Sequence, residues 1–241
     1  MRTVAIVQAR MGSTRLPGKV LSDIAGQPMI AHVVGRAGRV AGVDEVVVAI
    51  PDLSADDVLA EAIAVLGRRV IRGPAQDVLA RYLLAADATS ADVIVRITAD
   101  CPLLSPLVSS AVVAAFAQGE VDYASNTLDR TYPRGLDTEV FGVESLREAM
   151  DQAVAAAERE HVTPFIWHRP GRFRLRSVRG TIDRSSLRWT VDTPLDLTLI
   201  RAIYAELGTG AFDVDEILEL LRARPELADI NADVAQRSID L

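Results

Sequence analysis

Along the first half of the chain, short β-branched apolar runs alternate with stretches in which apolar residues return every three or four positions. TVAIVQ (3 to 8) and DEVVVAI (44 to 50) are of the first kind, and between them Met29, Ile30, Val33, Val34, Ala37 and Val40 recur at helical spacing. This pattern predicts a strand, a helix and a strand. Ser54 followed by Asp57 has the form of a capping box and predicts a helix with Val58, Leu59, Ala62, Ile63 and Leu66 on its apolar face, then a short strand at 69 to 71. A helix over 77 to 88, a buried strand over 92 to 97 and a helix from Pro106 to 117 continue the rhythm. Nearly continuous apolar strands separated by helices belong to a parallel sheet covered on both faces, so the fold class is α/β, a Rossmann-like, doubly wound, mostly parallel sheet.

From about residue 120 the rhythm changes. VDYASN leads into a turn-rich stretch, DRTYPRG, and then a strand-like DTEVFGV. Helices follow over about 144 to 168, then an arginine-alternating strand at 173 to 179, the extended LRWTVD, and closing helices at about 194 to 207 and 214 to 223. The expected organisation is one domain, 1 to 241, with a smaller β-rich and helical insertion at 125 to 185 lying over the sheet.

A chain of 241 residues that is 49% hydrophobic and 24% charged has enough apolar surface for one sizeable core. Its net charge of −7 argues against a broad nucleic-acid footprint, yet Arg and Lys crowd residues 10 to 19, 68 to 81 and 169 to 188. Local positive charge on an acidic protein suits a small anionic ligand. The single Cys101 excludes a disulfide framework and a cysteine-based zinc site. A strand pattern directly at the N-terminus, and no apolar run of membrane-spanning length, make the cytoplasm the expected location.

The first strand leads into VQARMGSTRLPGK (7 to 19), at the sheet edge where open α/β sheets bind ligands. Its glycines fit neither a Walker loop, since five residues separate Gly12 from Gly18 and Val20 follows Lys19, nor the dinucleotide fingerprint. It nevertheless gathers Arg10, Arg15 and Lys19 with Gly12, Ser13, Thr14 and Gly18, the cations, hydroxyls and approachable amides that a polyphosphate needs. The same composition also suits a solvated basic loop. Asp100 directly follows the 92 to 97 strand and projects from the same edge, a suitable place for a Mg²⁺ ligand. Asp192 ends the extended RWTVD, although Asp-Thr-Pro is equally ordinary chemistry for the start of a helix.

QARMGSTRLPGKVLSDIAGQPMIAHVV, GPAQDVLARY, RITADCPL, YPRGLDTEVF, EREHVTPFIW and RWTVDTPLDL together resemble the cytidylyltransferases that activate acidic sugars. The resemblance is closer to the branch named for spore coat polysaccharide biosynthesis, and it covers nearly the whole chain. It implies transfer of CMP from CTP to an anionic acceptor with release of pyrophosphate, Mg²⁺ on Asp100 and Asp192, and a homodimer. It also implies nucleotide contacts from Ala9, Arg10, Gly12, Ser13, Lys19, Gly73, Asp77, Arg81 and Asp100. Acceptor contacts would come from Asn126, Arg134, Asp137, Glu139, Glu160 and His161.

Several of these residues have ordinary alternatives. Asp77 and Arg81 also suit a helix start and a surface pair, and Gly135 also suits a turn. Cys101 stands where the octulosonate synthetases usually have an acidic residue, which leaves the acceptor open. Two rival functions share the architecture. A glycosyltransferase would hold its metal on an Asp-x-Asp turn, for which only Asp213 and Asp215 have the spacing. A non-catalytic nucleotide-binding subunit would not need both carboxylates and the full basic loop.

Overall fold

In the computed structural model, which describes residues 1–236, β1 (Thr3–Gln8) is followed by a small hairpin of β2 (Asp23–Ile24) and β3 (Gln27–Pro28). Next come α1 (Met29–Ala37), β4 (Glu45–Pro51), α2 (Asp57–Val65), β5 (Arg69–Gly73), α3 (Val78–Thr89), β6 (Val93–Thr98) and α4 (Pro106–Ala117). The second half holds β7 (Tyr123–Ser125), β8 (Glu139–Gly142), α5 (Val143–Gln152), α6 (Ala156–His161) and α7 (Pro164–Trp167). It closes with β9 (Leu175–Ser177), α8 (Pro194–Leu207), α9 (Val214–Ala223) and α10 (Pro225–Asp229). Residues 237–241 of the expected domain lie outside the described residues.

One seven-stranded sheet runs in the order β5-β4-β1-β6-β8-β7-β9. The strands β5, β4, β1 and β6 are mutually parallel, β8 is antiparallel to both β6 and β7, and β9 runs parallel to β7. Alternation along the strands sets the layers. Ala5 and Val7 face a core shared with Met29, Ile30, Leu59, Ile63, Ile200 and Ile203, from α1, α2 and α8. Val4 and Ile6 face a second core with Leu79, Tyr82, Leu146, Phe165 and Ile166, from α3, α5 and α7. Both faces of the central strands are therefore dry, which is why these strands read as apolar throughout.

The 125 to 185 stretch differs from an insertion laid over the sheet. Its strands β8 and β9 are members of the sheet, and its helices α5 and α6 pack on α3 beside it. The reason is the antiparallel ladder between β6 and β8, which pairs Arg96 with Glu139 and Ile94 with Phe141.

Local chemistry also departs from expectation in three places. Ser54 opens a short 3-10 turn rather than a capping box, and α2 begins after Asp56 with no side-chain cap. LRWTVD forms no strand, only an isolated bridge between Arg134 and Arg188 with backbone bonds on either side. The capping box before α8 belongs to Thr193 and Asp196, which leaves the Asp192 carboxylate free of capping duty.

Candidate active site

The loop after β1 is held at three points and open between them. Ala9 N donates to Ala49 O at 3.1 Å, Met11 N to Asp56 Oδ1 at 2.7 Å, and Gly18 N to Met11 O at 3.0 Å. Asp56 is 2% exposed, so a buried carboxylate from the next strand–helix connection fixes the loop. Gly18, at φ 70°, makes the turn into the 3-10 segment that starts at Lys19. The amides of Gly12, Ser13, Thr14 and Arg15 have no protein acceptor among the described residues. They line a cleft of about 320 Å³ together with Ala9, Arg10, Lys19 and Arg81. A row of unpaired amides flanked by cations is an anion cradle.

Lys19 joins this loop to the two carboxylates. Its Nζ donates to Asp100 Oδ2 at 3.2 Å, Asp192 Oδ1 at 2.8 Å and Val191 O at 2.6 Å. Asp192 Oδ2 also meets Arg15 and Arg188, both at 2.9 Å. Burial alone would oppose the charge on Lys19, but Asp100 and Asp192 outweigh it and raise the ammonium pKa above its usual value. Asp100 responds in the opposite direction. Burial disfavours its charge, while Lys19 and the Thr98 hydroxyl, 2.6 Å from Oδ1, outweigh that and hold the carboxyl below the usual range. The loop cations thus divide: Arg15 and Lys19 are engaged with carboxylates, and Arg10 has no side-chain partner among the described residues.

Arg188 was not singled out by its sequence, yet it anchors Asp192. It is buried, with Nε and Nη2 on Asp196 at 2.9 and 3.1 Å. Asp196, fully buried, also accepts from the Asp192 and Thr193 amides and from Asn231. A dense set of donors is what allows an ionised carboxylate to stay buried.

A second cleft, of about 540 Å³, adjoins the first, and Thr98 and His161 line both. Its walls include Arg134, Asp137 and Glu139. Asp137 is clamped by Arg130 through two bonds of 2.6 and 2.7 Å. Glu139 pairs with Arg96 and accepts from Tyr123 and Thr163, both at 2.6 Å. Arg134 alone among these charged groups has no side-chain partner among the described residues. His161 is carried to the junction by a strained turn. Thr163 N donates to His161 O at 2.9 Å across Val162, which sits at φ 73°, ψ −56°. That is a γ-turn at positive φ, uncommon for a β-branched residue and held here by full burial of Val162. Burial and the nearby Arg96 lower the His161 pKa against the opposing pull of Glu160.

Other expected contacts lie in the scaffold. Asp77 caps α3 through Ala80 N at 3.0 Å and pairs with Arg159, not with Arg81. Gly73 allows β5 to pass close to α3, since a Cβ there would lie 3.1 Å from Arg81 Cγ. Neither is among the residues lining the first cleft, whereas Arg81 is. Asn126 is 1% exposed and spends its amide on Leu136 O and Thr138 N, shaping the second cleft without lining it. Glu160 lines the first cleft rather than the second. Sequence reasoning missed Arg96, Thr98 and Asp56; only the alternation of RIT after VIV hinted at the first two.

The chain is 33% identical over 232 residues to the spore coat polysaccharide biosynthesis protein SpsF of Bacillus subtilis, covering 92% of this chain and 95% of that one. It is 43% identical over 122 residues to a 3-deoxy-manno-octulosonate cytidylyltransferase of Anaeromyxobacter dehalogenans, covering 49% of each chain. A cytidylyltransferase structure from Leptospira borgpetersenii superposes with a TM-score of 0.91 at 28% identity, covering 99% of this chain and 100% of that one. The CMP:2-keto-3-deoxy-manno-octonic acid synthetase complexed with CTP shares the fold, with a TM-score of 0.68 at 22% identity over 86% of this chain and 100% of that one. The cytidylyltransferase family model matches residues 4–222, from β1 through most of α9, and therefore spans the loop and both carboxylates; the chain belongs to the cytidylyltransferase family of nucleotidyltransferases.

Proposed function

We propose that this enzyme transfers CMP from CTP to an anionic small-molecule acceptor, a sugar acid or related compound, in a Mg²⁺-dependent reaction that releases pyrophosphate. The observation that carries the reading is the junction of two clefts. One is lined by free amides and cations, the other by Arg134, which has no side-chain partner among the described residues, and they meet at Thr98 and His161, with the Thr98 hydroxyl 2.6 Å from Asp100 Oδ1. The spore coat relative and the octulosonate enzymes support an acceptor used in cell-surface polysaccharide synthesis.

The carboxylates suit a Mg²⁺ ion. Asp100 Oδ2 and Asp192 Oδ1 already converge on one cationic nitrogen, at 3.2 and 2.8 Å, and both present hard oxygen donors. Mg²⁺ is commonly held by one or two carboxylates together with substrate phosphates. When bound, the ion would neutralise charge on the phosphate and polarise its oxygens. The lining of the first cleft carries four cations, Arg10, Arg15, Lys19 and Arg81, against the three carboxylates Asp100, Glu160 and Asp192. That small positive excess falls short of a triphosphate's charge.

The chain's own residues divide the remaining work. The amides from Gly12 to Arg15, with Arg10, hold the outer phosphates and stabilise the leaving pyrophosphate. Lys19 and Arg15, held beside the carboxylates, stay within reach of the same phosphates. Arg134 orients the acceptor's negative group, so that its nucleophilic oxygen enters at the junction near Thr98 and His161. Positioning of this kind supplies much of the rate in phosphoryl transfer.

The glycosyltransferase alternative loses its feature here. Asp213 caps α9, with Oδ1 2.8 Å from Val214 N and its own amide on Glu216. The test is pyrophosphate release with CTP, Mg²⁺ and a panel of sugar acids and sugar phosphates. Release with one acidic acceptor, lost in Arg134→Ala through a raised KM, supports the proposal; no release with any acceptor in the panel overturns it.

A further inference from the structure

A smaller cavity, of about 240 Å³, lies between α1, the C-terminal end of α8 and the β2–β3 hairpin, and it shares no lining residue with the two clefts of the site. Arg36 and Arg39 of α1 and its C-terminal end line it, and no aspartate or glutamate does. Arg36 is 3% exposed and has no carboxylate partner among the described residues. Its Nε donates to the Tyr204 hydroxyl at 3.2 Å, and its Nη1 to Leu104 O and Phe212 O at 3.3 and 3.1 Å. Its guanidinium carbon stands 4.4 Å from the centroid of the Phe212 ring. Nη2 makes no hydrogen bond among the described residues, yet it is not one of the unpartnered polar atoms sealed from solvent, so it is the nitrogen left for the cavity. Arg39, three residues on and on the same side of the helix, also has no side-chain partner among the described residues.

A guanidinium stays charged at any working pH, and burying one without a counter-charge costs free energy that neutral acceptors offset only in part. Gly35 points the same way. An added Cβ there would meet nothing within 4 Å, so no packing neighbour requires glycine inside α1. Glycine weakens a helix relative to alanine, and what it does here is leave the cavity open beside Arg36. His32, 8% exposed, lines the same cavity and has its Nε2 on Ile24 O at 2.8 Å, which leaves Nδ1 without a protein partner among the described residues. Asp23 is the carboxylate that His32 feels, and it acts on the imidazole less than Arg36 does.

We propose that this cavity binds a phosphate-sized oxyanion, free or as the phosphate group of a small molecule, between Arg36 Nη2 and Arg39. Phosphate carries nearly two negative charges at neutral pH, which two arginines without a carboxylate match. Its tetrahedral oxygens can accept from both guanidinium groups and from the Gln27 amide at once. The buried Nη2 fixes the position of the anion, and the exposed Arg39 closes on it from the rim. Arg36 and Tyr204 also hold Leu104 O and Pro102 O, so the anion's charge sits behind the segment that starts at Asp100. The proposal does not depend on the CTP reading.

The chain has three histidines, and two of them report on the two anion sites separately: His32 lines this cavity and His161 the first cleft. The experiment follows their ring signals by NMR while the full chain is titrated at constant ionic strength with inorganic phosphate, glucose 6-phosphate or, as the control, chloride. In the wild type the His32 signal should move saturably with phosphate and not with chloride. Arg39→Met should weaken that binding by about threefold to tenfold. Gly35→Leu, which favours the helix while placing a side chain at the cavity, should weaken it by about tenfold or more and leave the His161 response unchanged. Tighter binding of glucose 6-phosphate than of phosphate assigns the group to a small molecule, and weaker binding assigns the site to the free anion.

A His32 signal that does not saturate with either phosphate compound, or that follows chloride equally, overturns the proposal. A saturable shift of His161 alone does the same, because the anion then occupies only the first cleft. So does a His32 shift that is unchanged in both variants, since its source then lies elsewhere.

Discussion

Lys19 is the residue on which the electrostatics of the site turn, because one ammonium bridges two carboxylates that would otherwise repel. It is 9% exposed, so these contacts form in a poorly screened setting. Lys19→Met should leave Asp100 and Asp192 facing each other without their shared cation. Turnover in the pyrophosphate-release assay should drop by about a hundredfold or more, and Asp100→Asn should do the same. Histidine makes a separate prediction. His32 is buried with its Nε2 2.8 Å from Ile24 O, and burial, reinforced by Arg36, lowers its pKa despite that carbonyl. His161 is lowered as well, by burial and Arg96. The unfolded chain takes up protons at these groups near pH ~6.5, the folded chain only at lower pH. Between those values the unfolded state binds more protons, so stability should fall as pH drops from about 6.5 through the folded values. A urea midpoint lower at about pH 5.5 than at about pH 7.5, with the slope reduced in His161→Gln, would check this.

At the scale of elements, the site depends on two segments that have little regular structure. The Arg134–Gly135 turn docks on RWTVD: Arg134 N donates to Leu187 O and Trp189 N to Arg134 O. Gly135 sits at φ 104°, and a Cβ there would lie 2.6 Å from Trp189 C and Thr190 N. Gly135→Ala should therefore cost about 2 kcal/mol or more in urea unfolding, and should also impair turnover by moving Asp192. The start of α8 is equally specific. Asp196 is fully buried against Arg188 and accepts from the Asp192 and Thr193 amides, so Asp196→Ala would leave Arg188 with Asp192 as its remaining carboxylate and those amides without their acceptor, and should cost about 3 kcal/mol. Neither dependence was legible in the sequence. YPRG and DTPLD both read as turn and capping chemistry; what raises their importance is the contact of Arg134 with Arg188 in the first and the burial of the Arg188–Asp196 pair, eight positions apart, in the second.

At the scale of the whole molecule, the two cores hold the carboxyl ends of β1 and β6 in fixed register, with Gln8 beside Thr98. The loop from one strand and Asp100 from the other therefore start from a rigid edge. Ligand binding at such an edge should stabilise the entire domain. At about a hundred times its dissociation constant, CTP with Mg²⁺ should add ~2.7 kcal/mol and raise Tm by roughly 5–10 °C. The same titration on Asp100→Ala should give a markedly smaller shift. No helix among the described residues is long and apolar enough to cross a membrane.

The sequence by itself determined the sheet strands and covering helices of the first half, the α/β class and the placing of the basic loop and Asp100 at one sheet edge. Those features follow from local periodicity and from the rule that strands buried on both faces are apolar throughout. Tertiary structure decided the rest. It drew β8 and β9 into the sheet, gave Asp77 to Arg159, and bound Asp192 to Lys19, Arg15 and Arg188. It also left Arg10 and Arg134 lining the clefts with no side-chain partner among the described residues. A carboxylate and a guanidinium read alike in sequence whether paired or free. Only the folded chain, by bringing distant charges within bonding distance and excluding water from them, separates residues that hold the scaffold from those left for a ligand.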